Sequence, residues 1–362
     1  MKITLVAGAR PNFMKIAPII RAILQAQVNG RFISYRLVHT GQHYDEKLSK
    51  IFFEELEIPE PHKNLEVGSG SQAEQTAKIM IAFEKDLQEN PTDMVVVVGD
   101  VNSTLACTIV AKKANVKVAH VEGGIRSFDL TMPEEINRMV TDSIADYFFT
   151  TSDQANQNLK KEGIDPSRIF FVGNTMIDTL AHNLGRLKCP AIWNELGLKE
   201  KNYFILTLHR PSNVDDGNRL TLILKNIEEG VGDTNVIFPA HPRTRLMLNK
   251  SNWKGEKIKV LDPMSYLEFM FLIKHAGGVI TDSGGIQEET TYLNVPCLTL
   301  RANTERPETI SYGTNELIGD KFDLLKSSLK NVRDGNWKKG SVPPMWDGNA
   351  ATKIVDSLLS ME

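Results

Sequence analysis

The sequence predicts an α/β protein built as two doubly wound domains that face one another. Three observations predict it. Short apolar, β-branched runs alternate with longer amphipathic stretches, the pattern of βαβ units feeding a parallel sheet. The alternation occurs twice, in two series of similar length. Acids, cations and glycines collect just beyond the apolar runs, where open parallel sheets bind ligands.

In the first series, residues 3–7, 36–40, 94–98, 116–121, 147–151 and 169–172 read as strands. The run Val95–Val98 is continuous valine, as expected of a strand covered on both faces. Helical periodicity is clearest over 72–88, 103–114, 133–145 and 153–161. Pro133 fits the first turn of its helix, where its missing N–H costs nothing. In the second series, 203–208, 235–238, 257–261, 279–281 and 297–300 read as strands, again with helices between. A last helix, about 349–361, follows Val342-Pro343-Pro344-Met345-Trp346 and is expected to cross back onto the first domain. The domains are therefore placed at 1–175 together with about 346–362, and at 176–345.

The 362 residues are 41% hydrophobic and 24% charged, with a net charge of -3, which suits two cored domains without low-complexity tracts. This balance leaves no electrostatic footprint for nucleic acid or a membrane surface, so any anionic ligand must be held by a local site. Cys107, Cys189 and Cys297 lie far apart and read as buried free thiols, favouring a reducing compartment. The opening run is too short for a signal peptide, and no stretch approaches the ~20 apolar residues of a membrane helix. A cytoplasmic protein is expected.

The strand ends carry the candidate chemistry. Ser283-Gly284-Gly285 stands between a strand and a helix, where first-turn N–H groups cradle a phosphate; an ordinary Ser-capped helix is the alternative. Glu289, about one turn in, reaches for a ribose hydroxyl. The spacing matches neither GxGxxG nor a Walker loop, so neither NAD nor ATP is indicated. Arg10 and Lys15 offer cations to a pyrophosphate, with a surface Arg and a solvated helix Lys the alternative. Asp100 and Glu122 end adjacent apolar runs, and Glu134 opens the following helix; such carboxylates suit acid/base work, with plain helix N-terminal charge the alternative for Glu134. His209 ends a strand of the second domain. His39 and His43 have metal-like spacing but no acid or thiol partner, so no metal is expected.

These motifs resemble the non-hydrolysing UDP-N-acetylglucosamine 2-epimerases over nearly the whole chain and in order. The first half contributes Gly8-Ala9-Arg10-Pro11, Gly41-Gln42-His43, Gly99-Asp100-Val101-Asn102, His120-Val121-Glu122-Gly123-Gly124, Pro133-Glu134-Glu135 and Val172-Gly173-Asn174-Thr175. The second contributes His209-Arg210, Thr281-Asp282-Ser283-Gly284-Gly285 and Thr304-Glu305-Arg306-Pro307-Glu308. The resemblance implies a glycosyltransferase-B-like pair of Rossmann-like domains with a central cleft, a homodimer and no cofactor. It implies elimination of UDP with loss of the C2 proton, then re-addition. By position, Lys15, Asp100, Glu122, Glu134 and His209 form the catalytic set. Arg10, Arg138, Ser283, Gly284, Gly285 and Glu289 bind the UDP-sugar. Many bacterial members bind a second UDP-GlcNAc, which here would fall near Gln42, His43, Arg210 and His241.

Two departures stand out. His209-Arg210-Pro211-Ser212-Asn213 replaces the common His-Arg-Arg-Glu-Asn, and Tyr44-Asp45 replaces the usual residues after His43. They leave room for a modified substrate such as a UDP-diacetamido-uronic acid. A UDP-sugar glycosyltransferase of the same fold, a hydrolysing epimerase and a catalytically silent nucleotide-sugar sensor are the rival readings.

Overall fold

The structure is a computed structural model describing residues 1–41, 53–240, 242–251, 253 and 255–361. Among these residues the chain divides into two compact units, 1–182 with 344–362, and 183–343.

The first unit holds a parallel sheet ordered β3-β2-β1-β4-β5-β6-β7. Its strands are β1 (Lys2–Ala7), β2 (Ser34–His39), β3 (Lys63–Asn64), β4 (Met94–Val98), β5 (Lys117–Val121), β6 (Tyr147–Thr150) and β7 (Ile169–Phe171). Among the described residues the helices α1 (Arg10–Val28), α2 (Gln72–Glu89), α3 (Asn102–Lys113), α4 (Pro133–Ile144), α5 (Asp153–Lys161) and α6 (Thr175–Asn183) accompany them. Every residue of β4 is buried, because helices cover both faces; Phe83 of α2, Cys107 of α3 and Phe148 of β6 pack in the same core. Strand order reverses between β1 and β4, the switch point at which such sheets open a crevice.

The second unit repeats the plan in the order β10-β9-β8-β11-β12-β13. Its strands are β8 (Tyr203–Thr207), β9 (Asn235–Pro239), β10 (Ile258–Leu261), β11 (Gly278–Thr281), β12 (Cys297–Thr299) and β13 (Asn315–Leu317). Helices α7 (Gly217–Gly230), α8 (Tyr266–His275), α9 (Gly284–Leu293) and α10 (Phe322–Arg333) accompany them. Its switch point lies between β8 and β11.

The chain then returns to the first unit through α11 (Ala350–Leu359). Trp346 is buried and donates its indole N–H to the Thr151 carbonyl at 2.9 Å. The Asp178 carboxylate accepts the N–H groups of Ala350 and Ala351 at 3.1 and 2.7 Å, supplying the cap that α11 lacks locally. Gly173, at φ 98°, is obligatory here: a Cβ would stand 2.0 Å from the Met345 carbonyl oxygen. In α1, Pro18 cannot bond the Met14 carbonyl, and the Thr179 hydroxyl donates to that oxygen instead, at 2.5 Å.

Three features depart from the sequence reading. The first boundary falls after residue 182, not 175, because α6 is tied to α1 and α11 by Thr179 and Asp178. The sheets gain β3 and β13, edge strands too short and polar to show as apolar runs. Cys189 is exposed, lying beside Pro190 outside the helices and strands; only Cys107 and Cys297 are buried free thiols. Among the described residues no helix is long and apolar enough to cross a membrane.

Candidate active site

At the first switch point, Lys15 on α1 meets Glu122, just past β5, at 2.6 Å, both side chains buried. Glu122 sits at φ 72°, a left-handed conformation costly for a non-glycine residue and typical of functional sites. Gly99, past β4, packs against this pair: a Cβ there would lie 3.2 Å from Lys15 Nζ. Asn12 closes the turn after β1, accepting the N–H groups of Gly8 and Ala9 and donating to the Val98 carbonyl at 2.9 Å. Arg10 is the first residue of α1.

Asp100 is partly exposed and pairs with the buried guanidinium of Arg138. Arg138 is held from behind by Glu135, 2.7 Å away, and Glu135 also accepts the N–H groups of Ser127 and Phe128. Burial raises the Glu135 carboxyl, but these donors outweigh it and hold the group below its usual range. Asn137 donates to the Asp100 carbonyl at 2.8 Å. Glu134, one residue from Glu135, is exposed in the first turn of α4.

A fully buried chain lies beneath. His120 bridges the Gly99 carbonyl, 2.8 Å from Nε2, and Asp142, 2.6 Å from Nδ1. Asp142 also accepts the Gly124 N–H and pairs with Arg126 at 2.7 Å. The turns carrying Asp100 and Glu122 thus share one support. Sequence reading gave no role to Asn12 or Asp142, whose only signal was a polar residue inside a helical pattern, and quoted Glu135 in a motif without assigning it one.

At the second switch point, the buried Asp282 carboxylate gathers the His209 ring at 2.8 Å, the His209 and Arg210 N–H groups, and the Asn213 amide. Ser283 is the N-cap residue of α9 but makes no side-chain cap bond, leaving its hydroxyl uncommitted to that helix end. Gly284 lies close against two side chains: a Cβ would lie 2.9 Å from Glu305 and 3.1 Å from Arg306, so their ends would have to shift. Gly285 follows it in the first turn of α9. Glu305 is buried among Arg306, Arg301 and Arg210; burial raises its carboxyl, yet the guanidinium groups hold it far below its usual range. Glu289 is buried, and burial pushes it up to about 8, with Tyr266 donating to it at 3.0 Å. Gln42, His43 and His241 lie outside the described residues. Among the described residues no group of three or more His, Cys, Asp or Glu could hold a metal ion.

Two doubly wound sheets with polar clusters at both switch points define the glycosyltransferase-B class of fold. The lipopolysaccharide outer core galactosyltransferase WaaB shares it, with a TM-score of 0.58 over 100% of both chains at 14% identity. Within that class the UDP-N-acetylglucosamine 2-epimerase family model matches residues 26–359, and the chain belongs to this family. The UDP-N-acetylglucosamine 2-epimerase of Methanocaldococcus jannaschii is 44% identical over 98% of each chain. A crystal structure of that organism's enzyme with UDP-GlcNAc and UDP superposes with a TM-score of 0.88 at 43% identity, covering 99% of this chain and 100% of the other. The UDP-2,3-diacetamido-2,3-dideoxy-D-glucuronate 2-epimerase of Pseudomonas aeruginosa is 37% identical over 100% of each chain.

Proposed function

We propose that the protein reversibly epimerises UDP-N-acetylglucosamine at C2 to UDP-N-acetylmannosamine. A base removes the C2 proton, its electron pair forms the C1–C2 double bond, and the C1–O bond breaks with UDP taking its pair. A proton is then delivered to the opposite face of C2, and the UDP oxygen returns to C1. No carbonyl acidifies the C2 proton, so stabilising the departing diphosphate contributes to the barrier as well as to binding.

The observation that carries this reading is the pairing of Asp100 and Glu122 at the ends of adjacent strands β4 and β5, each beside its own cation. In this reading the two carboxylates exchange protons with C2. Lys15 and Arg138 hold them by ion pairs, Glu134 and His209 complete the catalytic set, and Arg10, Ser283, Gly284 and Gly285 hold the diphosphate. Glu289 takes the ribose hydroxyls. An exposed apolar strip, Phe128, Leu130, Ile136, Met139 and Val140, supports a homodimer. The setting is cytoplasmic, supplying a polysaccharide precursor.

The test is incubation with UDP-GlcNAc alone, followed by chromatography of the nucleotide sugars. An equilibrium mixture with UDP-ManNAc, and no acceptor present, is the expected result. Unchanged substrate would remove the activity, and free ManNAc with UDP would make the enzyme hydrolytic. The likeness to the Pseudomonas aeruginosa relative favours a second substrate, the UDP-diacetamido-glucuronate, assayed in the same way.

A further inference from the structure

We infer that Asp282 is the positioning residue that fixes the ring of His209, and that it does so from within the turn assigned to the diphosphate. The inference rests on the proposed role of His209 and adds the group through which that role is set. Asp282 is fully buried, whereas the His209 side chain is 53% exposed. One oxygen of Asp282 lies 2.8 Å from His209 Nδ1. The same carboxylate accepts the backbone N–H groups of His209 at 3.1 Å and Arg210 at 3.0 Å, and the Asn213 amide at 3.2 Å. Backbone and ring of His209 are therefore clamped by a single group.

The chemistry of that group decides the tautomer. Burial alone would raise Asp282, but His209, the Arg210 N–H and Asn213 outweigh it and hold the carboxyl below its usual range. An ionised carboxylate only accepts hydrogen bonds. Nδ1 must then carry the proton, and Nε2 is the nitrogen left to accept or donate at the exposed edge. The logic is that of a carboxylate orienting a catalytic imidazole. Here the orienting residue directly precedes Ser283, whose N–H is itself tied to Thr281 Oγ1 at 2.9 Å. Asp282 thus couples the aim of the imidazole to the turn that opens α9.

Two measurements test this on the full chain. A long-range proton–nitrogen correlation spectrum of histidine-labelled wild-type protein reports which ring nitrogen of His209 is protonated. The Nδ1–H form is expected, moving toward Nε2–H in Asp282→Asn; an Nε2–H wild-type ring overturns the inference without need of any variant. The second is a double-mutant cycle for UDP-GlcNAc turnover. Asp282→Asn is expected to lower kcat by about 100-fold with UDP affinity little changed, and to cost nothing further in a His209→Asn background. An equal loss in that background overturns it, since Asp282 would then act independently of the ring. Full turnover by His209→Asn alone would instead remove the catalytic reading of His209, while the spectrum still decides the pairing.

Discussion

Lys15 and Glu122 form the kind of contact that folding alone gives little reason to keep. Removing two charges from water costs several kcal/mol, and a well-packed apolar pair of the same volume is often as stable or more so. Glu122 adds backbone strain of order 1–3 kcal/mol through its φ of 72°. Placement at a switch point gives both costs a functional reason. Lys15→Met, which takes the cation away from a buried carboxylate, is expected to destabilise the fold by about 3–5 kcal/mol. Adding Glu122→Gln should recover much of that stability while turnover stays about 100-fold or more below wild type. Thermal melts beside nucleotide-sugar assays check both halves; a double variant that turns over normally would assign the pair to structure alone.

At the scale of the element, α4 shows what a sequence discloses and what it hides. Pro133 and the apolar periodicity marked the helix, observed over Pro133–Ile144. Which of two adjacent acids faces inward was not legible, because one residue on a helix is a turn of about 100° and both positions tolerate a carboxylate. Glu135 is the one that enters, grips Arg138 and fixes the loop at Phe128, while Glu134 stays in solvent. Strand ends were easier to read, since a run of valines must stop where polar residues begin. Hence Asp100, Glu122, His209 and Ser283 could be named from order alone, whereas supports that arrive from distant segments, such as Asp142 beneath His120, could not. Ile136, Met139 and Val140 lie on one exposed face of α4 at i, i+3 and i+4. Met139→Glu is expected to convert the proposed dimer to monomer in light scattering with the melting temperature lowered; an unchanged dimer would place the interface elsewhere.

For the whole molecule, two sheets of one topology each bring a polar cluster to the point of strand reversal. Repetition of the α/β alternation made this plan visible in the sequence, and the return of α11 was legible there too; Gly173, Trp346 and Asp178, which help to hold that return, come together only in the fold. Buried acids also set the pH response. Burial pushes Glu289 up to about 8 and Glu308 up to about 7, against a usual 4.5. Between those limits the folded chain holds more protons than the unfolded one, so the contribution of these groups is full below pH 4.5 and is lost as pH rises toward 8. The melting temperature should therefore fall from about pH 5 to about pH 8, and Glu289→Gln combined with Glu308→Gln should flatten that slope.

Proton exchange at C2 is the step that separates a C2 epimerase from a glycosyltransferase of the same fold. Proton NMR of UDP-GlcNAc with the enzyme in D2O follows it directly. Deuterium entering at C2 together with a manno product is the predicted result. Retention of the C2 proton, with the diacetamido-uronate substrate equally inert, would contradict the account.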